Sequence, residues 1–103
     1  MKEQDHNNTR KMTIARKIKN SGFPVYCKGF ITLIEVLNIL YDEPHAKLID
    51  DIYPRVAEMF DISRESVERN IRTGLRKSQY AHMQCREYFA EILWQVREEL
   101  GEF

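Results

Sequence analysis

Residues 64–77, RESVERNIRTGLRK, set Glu65, Glu68, Arg69, Arg72 and Arg76 at separations of one, three and four positions. At about 100° per residue these five side chains share a sector roughly 100° wide, and Val67, Ile71, Gly74 and Leu75 fall on the other side. Guanidinium groups on one stripe match phosphates and the O6/N7 edge of guanine, and a carboxylate among them can accept from a cytosine amino group. Such a face suits a helix lying in a major groove. The plainer reading is a solvated face whose charges pair with one another at i,i+3 and i,i+4.

The elements that would position this face lie just upstream. Ser63 stands immediately before the pattern, where its side chain can satisfy an orphan N–H of the first turn. In YPRVAEMF, residues 53–60, Pro54 occupies a first helical position, where its missing N–H costs nothing. Val56, Ala57 and Phe60 then form an apolar stripe, and the small Ala57 lets a second helix cross closely. Only Asp61 and Ile62 separate Phe60 from Ser63. A short helix, a tight turn and a longer basic helix together predict a helix-turn-helix, a DNA-reading unit.

Length and composition bound the rest. At 103 residues with 43% apolar content, the chain has room for one domain and none for a second, catalytic one. Its net charge is zero, but Lys and Arg outnumber Asp and Glu by seven to two over residues 1–30 and by five to two over 64–77. The balance reverses to two against seven over 31–63 and two against five over 78–103, so a local basic surface is compatible with a neutral protein. Cys27 and Cys85 fit no CxxC pattern and read as small buried hydrophobes. His6, His45 and His82 are scattered, so neither a metal site nor a cofactor is expected. No catalytic set can be assembled from Ser, His, Cys or paired carboxylates, which argues against an enzyme. No apolar run is long enough to span a membrane or to serve as a signal peptide, and a cytoplasmic setting is expected.

Along the chain, residues 1–8 are polar and aperiodic and are expected to be a flexible N-terminal segment ahead of a single domain over 9–103. Met12, Ile14, Ala15 and Ile18 predict a short helix over 9–19, ringed by Arg10, Lys11, Arg16, Lys17 and Lys19. The best patterned core helix is expected over 28–41, from Phe30, Leu33, Ile34, Leu37, Leu40 and Tyr41. A further short stretch over 46–52 turns Leu48, Ile49 and Ile52 inward, and Pro54 predicts a break or kink at Tyr53. After a weak pattern over 78–83, Tyr88, Phe89, Ile92, Leu93, Val96 and Leu100 mark a closing helix that Gly101 can end. Trp94 falls beside that stripe, either completing the core or lying in a contact between protomers. The predicted fold is all-α, a compact bundle of about six helices containing the helix-turn-helix.

Three segments carry a resemblance. GFPVYCKGF at residues 22–30 is similar to a G-x-P-x-x-x-K-G-aromatic connector, and it occurs together with YPRVAEMF from Tyr53 and VERNIR at 67–72. Over residues 9–100 the chain resembles the C-terminal DNA-binding domain of the stage-zero sporulation response regulator family of endospore-forming bacteria. The family's receiver domain lies outside the stretch that the resemblance covers. The resemblance implies that Glu68, Arg69 and Arg72 contact bases of a TGTCGAA-type box, with Ser63, Arg64, Ser66 and Arg76 on phosphates. It also implies double-stranded DNA as the partner, head-to-tail tandem self-association on it, and a contact with an RNA polymerase sigma factor. The connection between residue 77 and the last helix is shorter than is usual in the family. Two function classes follow: a sequence-specific transcription regulator, or a protein-interaction module that keeps the fold and modulates a full-length regulator without reading DNA.

Overall fold

A computed structural model describes residues 2–102, with side chains described from Asn7 onward. In chain order it contains α1 (Lys2–Asn20), α2 (Gly29–Asp42), a π-helical turn (Leu48–Ile52), α3 (Tyr53–Phe60), α4 (Arg64–Arg76) and α5 (Cys85–Leu100). No strand occurs among the described residues, so the fold is all-α as expected. Five α-helices are present among those residues rather than about six, because the stretch expected over 46–52 makes a single wide turn.

That turn explains how the chain passes Pro54 without the predicted break. Tyr53 keeps right-handed helical angles (φ −61°, ψ −43°) despite preceding a proline. The proline ring would meet the carbonyl four residues back in a regular helix. Here the backbone widens just upstream instead: Ile52 N–H donates to Lys47 O at 3.0 Å, five residues back. The polypeptide therefore enters α3 without leaving a helical path.

Helix α2 lies at the centre and touches every other element. It buries Gly29, Thr32, Leu33, Val36, Leu37 and Ile39, a set that wraps well around the helix, as a helix packed on several sides requires. The buried Thr32 hydroxyl donates to Gly29 O at 3.0 Å, so its burial leaves no donor unsatisfied. Against α2 pack Ile14 and Ile18 of α1, Val56 of α3, Val67 and Ile71 of α4, and Phe89 and Ile92 of α5, all within one core cluster.

Two glycines make the packing around α4 possible. A Cβ on Gly29 would lie 2.5 Å from Asn70 O, so α2 begins directly against the backbone of α4. A Cβ on Gly74 would lie 2.0 Å from Cζ of the buried Phe23 ring. The 22–30 connector thus drives an aromatic wedge onto α4, and the absence of a side chain at Gly74 receives it. The end of α1 is fastened to the same region, because Gln79 N–H donates to Ser21 O at 2.8 Å and Ser21 Oγ shares a 2.6 Å hydrogen bond with Tyr88 Oη.

Other boundaries and faces depart from the expectations. The first helix starts at Lys2 rather than at residue 9, and Met1 lies outside the described residues. Near that start the Asn7 side-chain carbonyl accepts from Asn38 Nδ2 of α2 at 3.1 Å. Met12 is 72% exposed and Ile49 53% exposed, so neither belongs to the inward stripe it was assigned to. Trp94 is 52% exposed and does not complete the core, although it keeps contacts on the surface. Helix α5 begins three residues before Tyr88, where Glu87 Oε1 accepts from Gln84 N–H at 3.3 Å, and Gly101 ends it in the left-handed conformation (φ 69°). Cys27 and Cys85 are free thiols packed against the core, only partly buried rather than fully inside as expected.

Candidate nucleic-acid interface

The start of α4 is set by its cap. Ser63 Oγ accepts from Ser66 N–H at 3.0 Å, and the two hydroxyls bond to each other at 2.9 Å. Upstream, Asp61 adopts the left-handed conformation (φ 53°) that closes α3, with Ile62 N–H donating to Ala57 O at 3.0 Å. Residues 61–63 therefore make a tight corner, and α3 packs on α4 across it.

Helix α4 buries Val67, Ile71, Gly74 and Leu75, the four positions that its periodicity assigned to the packing face. Its outward face carries Glu65, Arg69, Arg72 and Arg76, all exposed, with Glu68 half-buried at one edge. Of the residues expected to contact bases, Glu68 and Arg72 form an ion pair one turn apart, and Arg69 Nη2 donates to Ser66 Oγ at 3.3 Å. Of those expected on phosphates, Ser63 and Ser66 sit together in the cap, and Arg64 lies beside them with Nη2 3.4 Å from Glu65 Oε1. Arg76 stands apart in the last turn. The structure therefore gathers all seven candidates on one helix and its cap, six of them within the ten residues from Ser63 to Arg72.

Both readings of the stripe find something here, since one pair, Glu68 with Arg72, does link along the helix. With side chains 34% and 48% exposed, such a pair contributes about 0.3–0.5 kcal/mol, so releasing Arg72 to another acceptor costs little. Arg69 and Arg76 have no carboxylate partner among the described residues.

The second basic segment of the sequence has a different fate. Arg10 bonds to Asn38 and Asp42 of α2, at 2.8 and 2.9 Å, and its guanidinium lies 4.7 Å from the Tyr41 ring centroid. Lys11 reaches Glu35 at 3.1 Å, while Arg16 and Lys17 both hold Glu99 of α5. Hydrogen bonds from Arg16 and Lys17 push the Glu99 carboxyl down to about 2. Arg10, Lys11, Arg16 and Lys17 of α1 are thus engaged in joining helices, and the open arginines belong to α4 and its surroundings.

Two residues that spacing could not bring to this face lie beside it. Tyr53, at the start of α3, is buried, and burial first of all, with Cys85 and Glu68 adding, pushes its hydroxyl well above the usual phenol range, whereas Arg72 and Arg86 act the other way. Arg86, in the first turn of α5, comes from an acidic stretch of sequence in which nothing marked it.

A small all-helical domain that lays an arginine-rich helix along its surface, capped by hydroxyl side chains, belongs to the class of DNA-binding domains. Residues 14–98 match the family described as sporulation initiation factor Spo0A C terminal, and the chain belongs to that family, a DNA-binding effector domain of a sporulation transcription regulator. The chain matches no curated protein and no solved structure at a level that establishes relatedness. Among the described residues no helix is long and apolar enough to cross a membrane.

Proposed function

We propose that the chain is a sequence-specific transcription regulator that reads a short TGTCGAA-type box through the major groove of double-stranded DNA. In this reading α3, the corner at residues 61–63 and α4 act as a helix-turn-helix, with α4 entering the groove. Glu68, Arg69 and Arg72 contact base edges, and Ser63, Arg64, Ser66 and Arg76 hold phosphates. The observation that carries it is the division of α4, whose apolar positions are all consumed in packing while Arg69, Arg72 and Arg76 stay exposed on the opposite side. Membership of a DNA-binding family supports double-stranded DNA as the partner of that face.

One recognition helix covers only a short site, so useful specificity calls for a second copy on an adjacent box. The proposed arrangement is a head-to-tail tandem on DNA formed from monomers, with an RNA polymerase sigma factor as the protein partner and the bacterial cytoplasm as the setting. Sedimentation should find a monomer without DNA and a 2:1 complex on a double box. A stable dimer in the absence of DNA contradicts the tandem.

Glu68→Ala tests the base-reading role most sharply. Removing a carboxylate from beside DNA relieves repulsion and should strengthen binding to a scrambled duplex. It should weaken binding to the box, where a cytosine amino group loses its acceptor. Equal improvement on both duplexes would make Glu68 a surface charge only and would favour the interaction-module reading.

A further inference from the structure

A cleft of about 420 Å³ runs along the Glu68–Arg72–Arg76 flank of α4, between that helix, the start of α3 and the residues that lead into α5. Arg72, Arg76 and Arg86 all line it, against a single carboxylate, Glu68, which is already paired with Arg72. Arg76 and Arg86 have no carboxylate partner among the described residues. Three guanidinium groups facing one narrow space repel each other, and an anion is what relieves that repulsion.

The phenol of Tyr53 also lines the cleft. The Tyr53 ring is buried, while its hydroxyl oxygen stays open on the cleft side and makes no hydrogen bond with any described residue. A hydroxyl open to a cleft that arginines line can donate to an acceptor that enters from outside. Like any phenol it is a neutral donor at ordinary pH, and burial only moves its ionisation to higher pH. A tetrahedral anion with several acceptor oxygens can take both kinds of bond at once, a guanidinium fork and a hydroxyl.

We propose that this cleft is a phosphate-binding site in which Tyr53 and Arg86, together with Arg76, hold one backbone phosphate of the DNA beside the box. The inference rests on the reading of α4 as the helix that enters the groove, because a helix seated there brings the flanking strand past the side of α4 that the cleft opens on. It adds two residues from outside α4 to the contact surface. It also leaves Arg72 free for a base, since Tyr53, Arg76 and Arg86 take the phosphate. Such contacts fix orientation on the duplex without reading sequence.

The test uses the full chain, with Arg86→Gln and Tyr53→Phe compared with wild type on box and scrambled duplexes over a salt series. Tyr53→Phe keeps the buried ring and Arg86 is exposed, so both variants should fold, as circular dichroism can verify. Arg86→Gln should weaken binding to both duplexes by about threefold to tenfold and flatten the salt slope by about one counterion. Tyr53→Phe should weaken both by about twofold to fivefold at unchanged slope, because a neutral donor releases no counterion. A single methylphosphonate scanned along the strands should find a flanking position that weakens wild type but not Arg86→Gln. Unchanged affinity and slope in both variants, with wild type still preferring the box, overturns this site and leaves the reading of α4 intact. If wild type shows no preference but the variants lose affinity as stated, the phosphate site stands and the base reading falls. Inorganic phosphate titrated without DNA should give no saturable shift of the Tyr53 and Arg86 amide resonances at low millimolar concentration. Saturable binding that Tyr53→Phe abolishes, with DNA affinity unchanged, assigns the cleft to a free anion and overturns the DNA role.

Discussion

Gly74→Ala sets two effects of opposite sign against each other at one position. Alanine is the better helix former by about 1 kcal/mol, so an exposed glycine in the middle of α4 would be improved by the change. At Gly74 the added Cβ would instead lie 2.0, 2.4 and 2.5 Å from three carbons of the Phe23 ring. Ordinary carbon contacts lie at about 3.5–4.0 Å, so the ring must retreat by roughly 1.5 Å. It has little room to do so: Phe23 is 1% exposed, with the Phe30 and Tyr88 rings at centroid distances of 6.2 and 6.5 Å. With three carbons within 2.5 Å, overpacking falls in the upper part of the roughly 1–3 kcal/mol range, which outweighs the helix gain. We therefore expect net destabilisation of about 1–2 kcal/mol, seen as a fall in Tm of roughly 4–15 °C by differential scanning calorimetry. Urea midpoints should fall in parallel at unchanged m-value. In the double variant Phe23→Leu with Gly74→Ala, the loss should be smaller than the sum of the single losses, because the clash then has no ring to meet. A rise in Tm for Gly74→Ala alone would refute the wedge, and additive losses in the double variant would show that Phe23 and Gly74 are not coupled.

Further outcomes follow from the same structure. Arg69→Ala should lose about 1–3 kcal/mol on the box and little on scrambled DNA, whereas Arg64→Ala should weaken both duplexes and reduce the salt slope by about one counterion, as filter binding over a salt series can establish. Replacing the capping Ser63 by Ala should cost about 1 kcal/mol in urea unfolding, and a change within error would mean that the Ser66 N–H finds another acceptor. Stability should hold from neutral pH to about pH 10 and then fall towards pH 12, because burial raises the Tyr88 phenol to about 12 in the folded state. The folded value lies above the unfolded one, so the stabilisation is present below pH 10 and is lost as pH rises through that window. It amounts to about 2–3 kcal/mol for Tyr88, and Tyr53 and Tyr41 shift in the same direction; a stability curve flat between pH 10 and 12 would count against the buried phenols.

How far the sequence speaks for the fold depends on which property each element uses. Helix α4 was legible because its charged and apolar residues separate cleanly at helical spacing, so Val67, Ile71, Gly74 and Leu75 could be assigned inward without any knowledge of the neighbours. Ser63 was legible for a similar reason, since a cap is a local bond between residues three apart. Met12, Ile49 and Trp94 were not, because an apolar side chain at the edge of a stripe does not say which side the rest of the chain covers. The partners of Arg10, Arg16 and Lys17 could not be found either, as Asp42 and Glu99 are brought to them only by tertiary packing. Gly74 was visible as a weak point in a helix, and the ring that fills it lies about 50 positions away in the connector. The π-helical turn before Pro54 had no signature beyond the proline itself, which forbids one geometry without naming the substitute. The cleft that joins Tyr53 to Arg86 is built from four elements, and no periodicity along one of them could show it.

The central claim is that the outward face of α4 reads bases, and a titration of the full chain against a TGTCGAA-type box and a scrambled duplex of the same composition tests it most directly. Run from about 50 to 200 mM salt, the affinity for both should fall as counterions are reclaimed from several phosphates. The box should stay the tighter ligand throughout, with the gap between the two curves kept at the higher salt, where non-specific attraction is weakest. Curves that coincide at every salt concentration would contradict the account.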